Sequence, residues 1–282
     1  MRIVSLIENT SATEQLKAEH GLSFYVENCG ERYLIDTGAS DKLVLNAQRM
    51  RLDLSSVRKI ALSHCYSDHT GGIESIIKLN PEVKIYAKEA CKGDYYVKYG
   101  MLRISVGTVS ELSEEYPDNF IFYNRFHEIA PGFFAMSNEI PDYTMYCEDP
   151  HLYKMSGNKL VKDDFLHESF FVIFPDNNRD KGCVVISSCS HCGIVNILKT
   201  VKKSFPESPI ISVIGGFHLM GSSTKKLCCS IEYVDKTVNE IKAIETGAIY
   251  TCHCTGLTGY GIMKSQLGDR IQYLQTGEEL EF

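Results

Sequence analysis

The chain has 282 residues, 44% of them hydrophobic, with 36 acidic against 29 basic side chains and a formal net charge of −7. That is enough apolar chain for a sizeable core, while the negative balance argues against a nucleic-acid backbone as partner. No apolar run approaches the ~20 residues that a bilayer span requires.

The opening MRIVSLIENT lacks the apolar core and cleavage site of a signal peptide. The 11 cysteines, an odd number, therefore read as thiols rather than a disulfide framework, and a cytoplasmic protein is expected.

Residues 2–7, 22–27 and 32–36 are rich in β-branched and aromatic side chains between polar or glycine turns, and read as strands. A short amphipathic helix is expected over 41–50, a buried strand over 57–62, and a helix over 71–79 that stops before Pro81. From about 88 to 165 the pattern loosens, with short strand-like runs at 120–123 and 133–136. This stretch reads as an insertion on a single domain spanning 1–282, forming part of a pocket wall. Strands 169–174 and 183–188 read as a hairpin around the turn 176–182. Helix 194–205, strand 209–214, helix 230–245, strand 248–251 and a last helix and strand follow. Such alternation predicts a layered α/β fold with helices packed outside sheets.

Four histidines, His64, His191, His218 and His253, each stand just past an apolar strand, where loops converge on a rigid edge. Any one alone would more often be a hydrogen-bonded core side chain; four in the same context point to a site. The densest signal is Ser63-His64-Cys65-Tyr66-Ser67-Asp68-His69-Thr70-Gly71-Gly72. Two imidazoles and a carboxylate within six residues suit zinc or iron, and the alternative is a polar turn with a helix cap.

This segment resembles the His-x-His-x-Asp-His signature of the metallo-β-lactamase superfamily, and Ile35-Asp36-Thr37-Gly38 resembles its Asp-x-Gly turn. Gly21-Leu22-Ser23, Ser188-Cys189-Ser190-His191-Cys192-Gly193, Gly215-Gly216-Phe217-His218-Leu219 and His253-Cys254-Thr255-Gly256 are similar to the dihydropterin ribofuranosylaminobenzene 5′-phosphate synthase-like branch. The resemblance implies an αββα four-layer sandwich with one or two metal ions at a sheet edge, and Asp36 supporting the metal loop. By position it assigns His64 to a first metal and Asp68, His69 and His253 to a second. His191 belongs to the first or lies between the two. Zinc is the expected ion, with iron or manganese as alternatives.

One position departs from the signature: Tyr66 stands where the superfamily has its second histidine. Three outcomes follow: a phenolate ligand, a weakened first site, or a substitute such as His167; the weakened site is the one expected. His218 is read as facing substrate, where an imidazole can protonate a leaving group. His20 reads as a surface residue. A rival thiolate site from Cys189-x-x-Cys192 with Cys252 and Cys254 is disfavoured, because both pairs flank histidines the motifs already use.

The expected protein is a metal-dependent hydrolase acting on a small, anionic, phosphorylated molecule, with Asp68 and His218 as catalytic groups. The alternative is a catalytically impaired binding or sensor protein, motivated by Tyr66. A di-iron redox protein would need a flavin partner, for which nothing in the sequence reads as a domain.

Overall fold

The structure is a computed structural model that describes residues 1–138, 145, 146, 149–221 and 225–282. Two seven-stranded sheets form its frame. One runs in the order Glu279–Glu281 (β18), Arg2–Ile7 (β1), Ser23–Asn28 (β2), Glu31–Ile35 (β3), Lys59–Ala61 (β4), Lys84–Lys88 (β5) and Phe120–Tyr123 (β8). The other runs Ile271–Tyr273 (β17), Ala248–Thr251 (β16), Ile210–Gly215 (β15), Cys183–Ser187 (β14), Phe170–Ile173 (β13), Phe133–Met136 (β10) and Phe126–Ala130 (β9). Each sheet combines parallel and antiparallel pairs: β3, β4, β5 and β8 are parallel, as are β14 to β17.

Strand alternation builds the four layers, because successive side chains point to opposite faces. Ile3, Phe24, Val26 and Ile35 of the first sheet meet Phe133, Phe171, Ile173, Val184 and Ile186 of the second in the inner core. Their neighbours face outward. Val4, Leu34, Ile60 and Ile85 pack under helices Lys42–Arg49 (α1) and Ile73–Leu79 (α3) through Leu43, Ala47, Ile73 and Ile76. Val172, Val185, Val213 and Ile249 pack under Ile194–Ser204 (α5), Ile231–Ile244 (α6) and Gly256–Leu267 (α7) through Ile197, Val201, Val238, Ile241 and Met263. Each fully buried aliphatic side chain of this kind contributes roughly 1.5–3 kcal/mol. The expected αββα sandwich is the observed one.

The stretch 88–165, expected as one insertion, divides in two. β8, β9 and β10 fall inside it yet belong to the main sheets, because their apolar faces are needed in the inner core. Only Tyr95–Tyr99 (β6), Leu102–Ser105 (β7), Leu152–Ser156 (β11) and Lys159–Lys162 (β12) stand apart, as a four-stranded sheet in the order β12-β11-β6-β7. The sequence reading also missed β5 and the helix Val109–Glu115 (α4). Both are short, and charged residues within them (Lys84 and Lys88 in the strand; Glu111, Glu114 and Glu115 in the helix) weaken their periodicity. Among the described residues no helix is long and apolar enough to cross a membrane.

Candidate metal centre

The site lies where strand ends from both main sheets converge. β3 ends into Asp36, which holds a left-handed φ of 56° and is fully buried. Its Oδ1 accepts the Ser63 amide at 2.8 Å, and its Oδ2 accepts the Ser63 hydroxyl at 2.6 Å and His69 Nδ1–H at 2.8 Å. With its own proton committed to Asp36, the Ser63 hydroxyl accepts from His64 Nδ1 at 2.8 Å. One carboxylate thus orients both rings, leaving Nε2 of His64 and of His69 facing the pocket.

The loop between β4 and α3 makes one helical turn at Ser67–Thr70 (α2), and it is clamped against neighbouring backbone. Leu22 donates to the Asp68 carbonyl at 3.2 Å and Thr37 to the His69 carbonyl at 2.7 Å. Gly21 and Gly71 make the approach feasible: a Cβ at Gly21 would lie 2.7 Å from the Asp68 carbonyl oxygen, and one at Gly71 only 2.3 Å from the Ala39 oxygen.

His191 follows β14, its backbone N–H held by Glu168 Oε1 at 2.6 Å and its ring stacked on Phe165 at 4.5 Å between centroids. His253 follows β16. Its N–H is held by Glu8 at 2.7 Å, and its Nδ1 is 3.0 Å from Asn9 Oδ1, an arrangement that turns Nε2 inward. The rings form a continuous run. His218–His191 centroids are 4.3 Å apart, His191–His64 5.1 Å, His64–His69 4.1 Å, His69–His253 5.0 Å and His253–His20 4.9 Å. Asp68 Oδ2 sits 3.6 Å from His69 Nε2, 3.5 Å from His253 Nε2 and 3.6 Å from His20 Nε2. The five residues expected at a metal, His64, Asp68, His69, His191 and His253, are therefore in one place, with His218 beside them.

Their chemistry favours a cation. His64 Nε2, His253 Nε2 and both ring nitrogens of His191 and His218 are buried without a hydrogen-bond partner. Buried polar atoms rarely stay unpaired, and such an exception points to an ion or a ligand. Burial, reinforced by neighbouring imidazoles, pushes His64 and His191 well below the ordinary histidine range, so their lone pairs are free. Burial also opposes charge on Asp68 and His69. Their mutual attraction outweighs it, holding Asp68 well below the usual carboxylate range and, with Asp36, raising His69 to about 9.

Tyr66 is turned away from this role. Its hydroxyl donates to Asp163 Oδ2 at 2.7 Å, and burial first, then Asp163, raises it well above the ordinary phenol value, which keeps the proton in place. His167 is not placed as a substitute either, since Nε2 lies 3.0 Å from Asp163 and Nδ1 3.3 Å from Cys65 Sγ. His191 occupies the space beside His64 instead. His20, expected on the surface, is half-buried against Asp68 and His253. The rival thiolate site does not form: among the described residues no metal-sized group contains Cys192, Cys252 or Cys254. Cys189 is different, being buried with Sγ 3.3 Å from His69 Nε2. Glu8 and Asn9 were not anticipated; their only signal was a position just past β1.

A cavity of about 180 Å³ opens onto the cluster, walled on the far side by Val97, Val106 and Leu152 at the four-stranded sheet.

Residues 16–118 match the model of the metallo-beta-lactamase superfamily. Over 281 residues the chain is 26% identical to the 7,8-dihydropterin-6-methyl-4-(beta-D-ribofuranosyl)-aminobenzene-5'-phosphate synthase of Methanocaldococcus jannaschii, covering 94% of this chain and 90% of that one. Among solved structures it is similar to Tm1679, a metal-dependent hydrolase of the beta-lactamase superfamily, with a TM-score of 0.82, 26% identity and coverage of 100% and 99%. A diphosphatase from the PhnP family shares the fold alone, with a TM-score of 0.55, 14% identity and coverage of 100% and 98%.

Proposed function

Because this chain belongs to the metallo-β-lactamase superfamily, we propose that it is a metal-dependent hydrolase-like enzyme acting on a small phosphorylated molecule. The observation that carries the reading is the set of buried, unpartnered imidazole nitrogens gathered beside Asp68. His64 and His191 would hold one ion, and Asp68, His69 and His253 a second; zinc is the expected metal, with iron or manganese as alternatives. When bound, such an ion lowers the pKa of a coordinated water from 15.7 toward about 7 and polarises a substrate oxygen.

The chain's own residues supply the rest. Asp36 and Asn9 orient the rings of His64, His69 and His253, so no reorientation is needed as substrate arrives. Asp68, about a quarter exposed, faces both the imidazoles and the cavity, where it accepts the proton of the attacking water. His218, on the opposite side with Nε2 3.7 Å from Asp149, donates to the leaving oxygen.

An anionic substrate is supported by a second cavity of about 380 Å³, which shares His20 and Met220 with the first and is lined by Lys225 and the first turn of α7. Free amide N–H groups and the dipole of such a turn favour phosphate oxygens. The Gly71 and Gly72 amides do not serve this way, because Gly38 O and Thr37 Oγ1 already engage them. The similarity to a 5'-phosphate synthase supports the same substrate class, and makes group transfer the alternative to hydrolysis in this site.

The test is His69→Ala with elemental analysis and turnover of an aryl phosphodiester. Loss of metal together with loss of metal-stimulated turnover is expected; unchanged metal content would remove the basis of the reading. Full loading of the unaltered protein with tight binding but no turnover across phosphorylated compounds would favour the sensor alternative that Tyr66 motivates.

A further inference from the structure

We propose that a cavity of about 510 Å³, separated from the metal centre by the stacked rings of Phe165 and His191, is a second ligand site for a small molecule with an anionic head and an aromatic or apolar body. Among the described residues it shares no lining side chain with the cavity at the histidines. The site therefore goes beyond the metal-centre reading and does not depend on it.

The head group is called for by Lys88. This last residue of β5 lines the cavity and is only 8% exposed. Its Nζ donates to the Glu168 carbonyl at 3.2 Å, and among the described residues no carboxylate stands within ion-pair distance of it. A buried charge is costly unless an opposite charge meets it. The carboxylates of the same wall are committed to other partners. Asp163 accepts from Tyr66 and lies against His167, Asp164 pairs with Lys154 at 2.5 Å, and Glu168 holds the amides of His191 and Cys192 at 2.6 and 2.8 Å. The N-terminal end of α5 borders the cavity through Cys192 and Asn196, and its first turn carries no acidic side chain. Its dipole adds to the pull on an anion. Burial lowers the Lys88 pKa, and an anion brought to Nζ would restore it.

The body is called for by the opposite wall. Phe165 and Tyr146 line the cavity with ring centroids 5.9 Å apart. Phe165 holds a left-handed φ of 53°, a costly backbone for a bulky aromatic residue. The turn is enforced by three bonds: Phe165 N–H to Asp163 Oδ1 at 2.8 Å, Leu166 N–H to Asp164 Oδ1 at 3.3 Å and Glu168 N–H to the Phe165 carbonyl at 2.9 Å. Strain held in this way is typical of ligand clamps. It puts the Phe165 ring between the two cavities and leaves Leu166 61% exposed beside the second one. Small-molecule sites combine apolar walls with a few placed polar groups in the same manner.

The probes are naphthoate, naphthylphosphonate and the neutral naphthamide, titrated calorimetrically into zinc-loaded full-length protein. Either anion should bind with a Kd below about 1 mM, and naphthamide about tenfold more weakly or worse. The tighter anion tells a carboxylate head from a phosphate one. Lys88→Met keeps the stem without the charge and should erase the preference for the anions. The chain has no tryptophan, so Leu166→Trp places a single reporter beside the cavity, and its emission should change as either anion binds. Binding should persist in His69→Ala. Anions that bind no better than naphthamide, a preference that survives Lys88→Met, or a reporter silent at saturation overturns the site. Binding that vanishes with the metal does so too, because the anion then sits on the histidine centre. If Lys88→Met misfolds by circular dichroism, the tryptophan reporter and the contrast between anion and amide still decide the question.

Discussion

The Tyr66 hydroxyl donates to Asp163 Oδ2 at 2.7 Å, and His167 Nε2 reaches the same oxygen at 3.0 Å. Asp163 immediately follows β12, so this carboxylate ties the loop that carries Asp68 and His69 to the four-stranded sheet that walls the cavity. A position that holds a ligand in the superfamily signature is used here as a strut. Tyr66→Phe removes one donor from a buried carboxylate, which costs about 1–3 kcal/mol. The melting temperature should fall by several degrees while metal content per chain stays the same. A drop in bound metal would show instead that the phenol is a ligand.

Acid stability should depend on the same carboxylate. Burial works against ionisation of Asp163, but His167 and the hydrogen bond from Tyr66 hold it below the usual carboxylate value. A depressed folded pKa means that the unfolded chain binds the proton more readily. The stabilisation is therefore complete above the unfolded value of about 3.9 and is lost as pH falls through the folded one. Urea unfolding of wild type and Asp163→Asn should show their difference shrinking as pH falls from about 5 toward 3. A constant difference over that interval would mean that the proton on Asp163 is not linked to folding.

What the sequence disclosed, and what it hid, follows one physical division. His64, Asp68 and His69 share one short loop, so their spacing announced a site, and strand periodicity placed His191, His218 and His253 at sheet edges. Asn9 and Glu8 act on His253 from 244 and 245 residues away, a relationship that exists only after β1 and β16 have been folded into facing sheets. His20 was misplaced for the same reason: its partner Asp68 lies across a loop contact, and nothing local marks it. Tyr66 was legible as a departure but not as a strut, because Asp163 lies 97 residues on. The apolar runs at 120–136 were credited to an insertion because local patterning cannot say which sheet a short strand will join.

Asp36 should control metal affinity without touching the metal. Asn tolerates the left-handed backbone that Asp36 adopts, so Asp36→Asn keeps the turn while weakening the bonds that fix His64 and His69. Changes to such supporting partners typically cost 10–100-fold in metal affinity. Competition with a chromophoric chelator should show a loss of that size with an unchanged circular dichroism spectrum. An affinity within twofold of wild type would mean that packing alone holds the two rings.

Two glycine substitutions should separate a steric role from a general one. A Cβ at Gly71 would stand 2.3 Å from the Ala39 carbonyl oxygen and 2.5 Å from its carbon, both backbone atoms that cannot rotate aside. Gly71→Ala must therefore push the loop bearing Asp68 and His69 off the turn at Gly38–Ser40, and overpacking of this kind costs about 1–3 kcal/mol. The displaced loop should lose metal affinity as well as stability. Gly261, exposed within α7 with nothing within 4 Å of its Cβ position, has no such constraint. Gly261→Ala should raise stability by about 0.5–1 kcal/mol through helix propensity and leave metal binding as it was. Chemical denaturation and metal titration of both variants check the contrast. A Gly71→Ala protein as stable and as metal-replete as wild type would show that this loop is not held by the close backbone contact described.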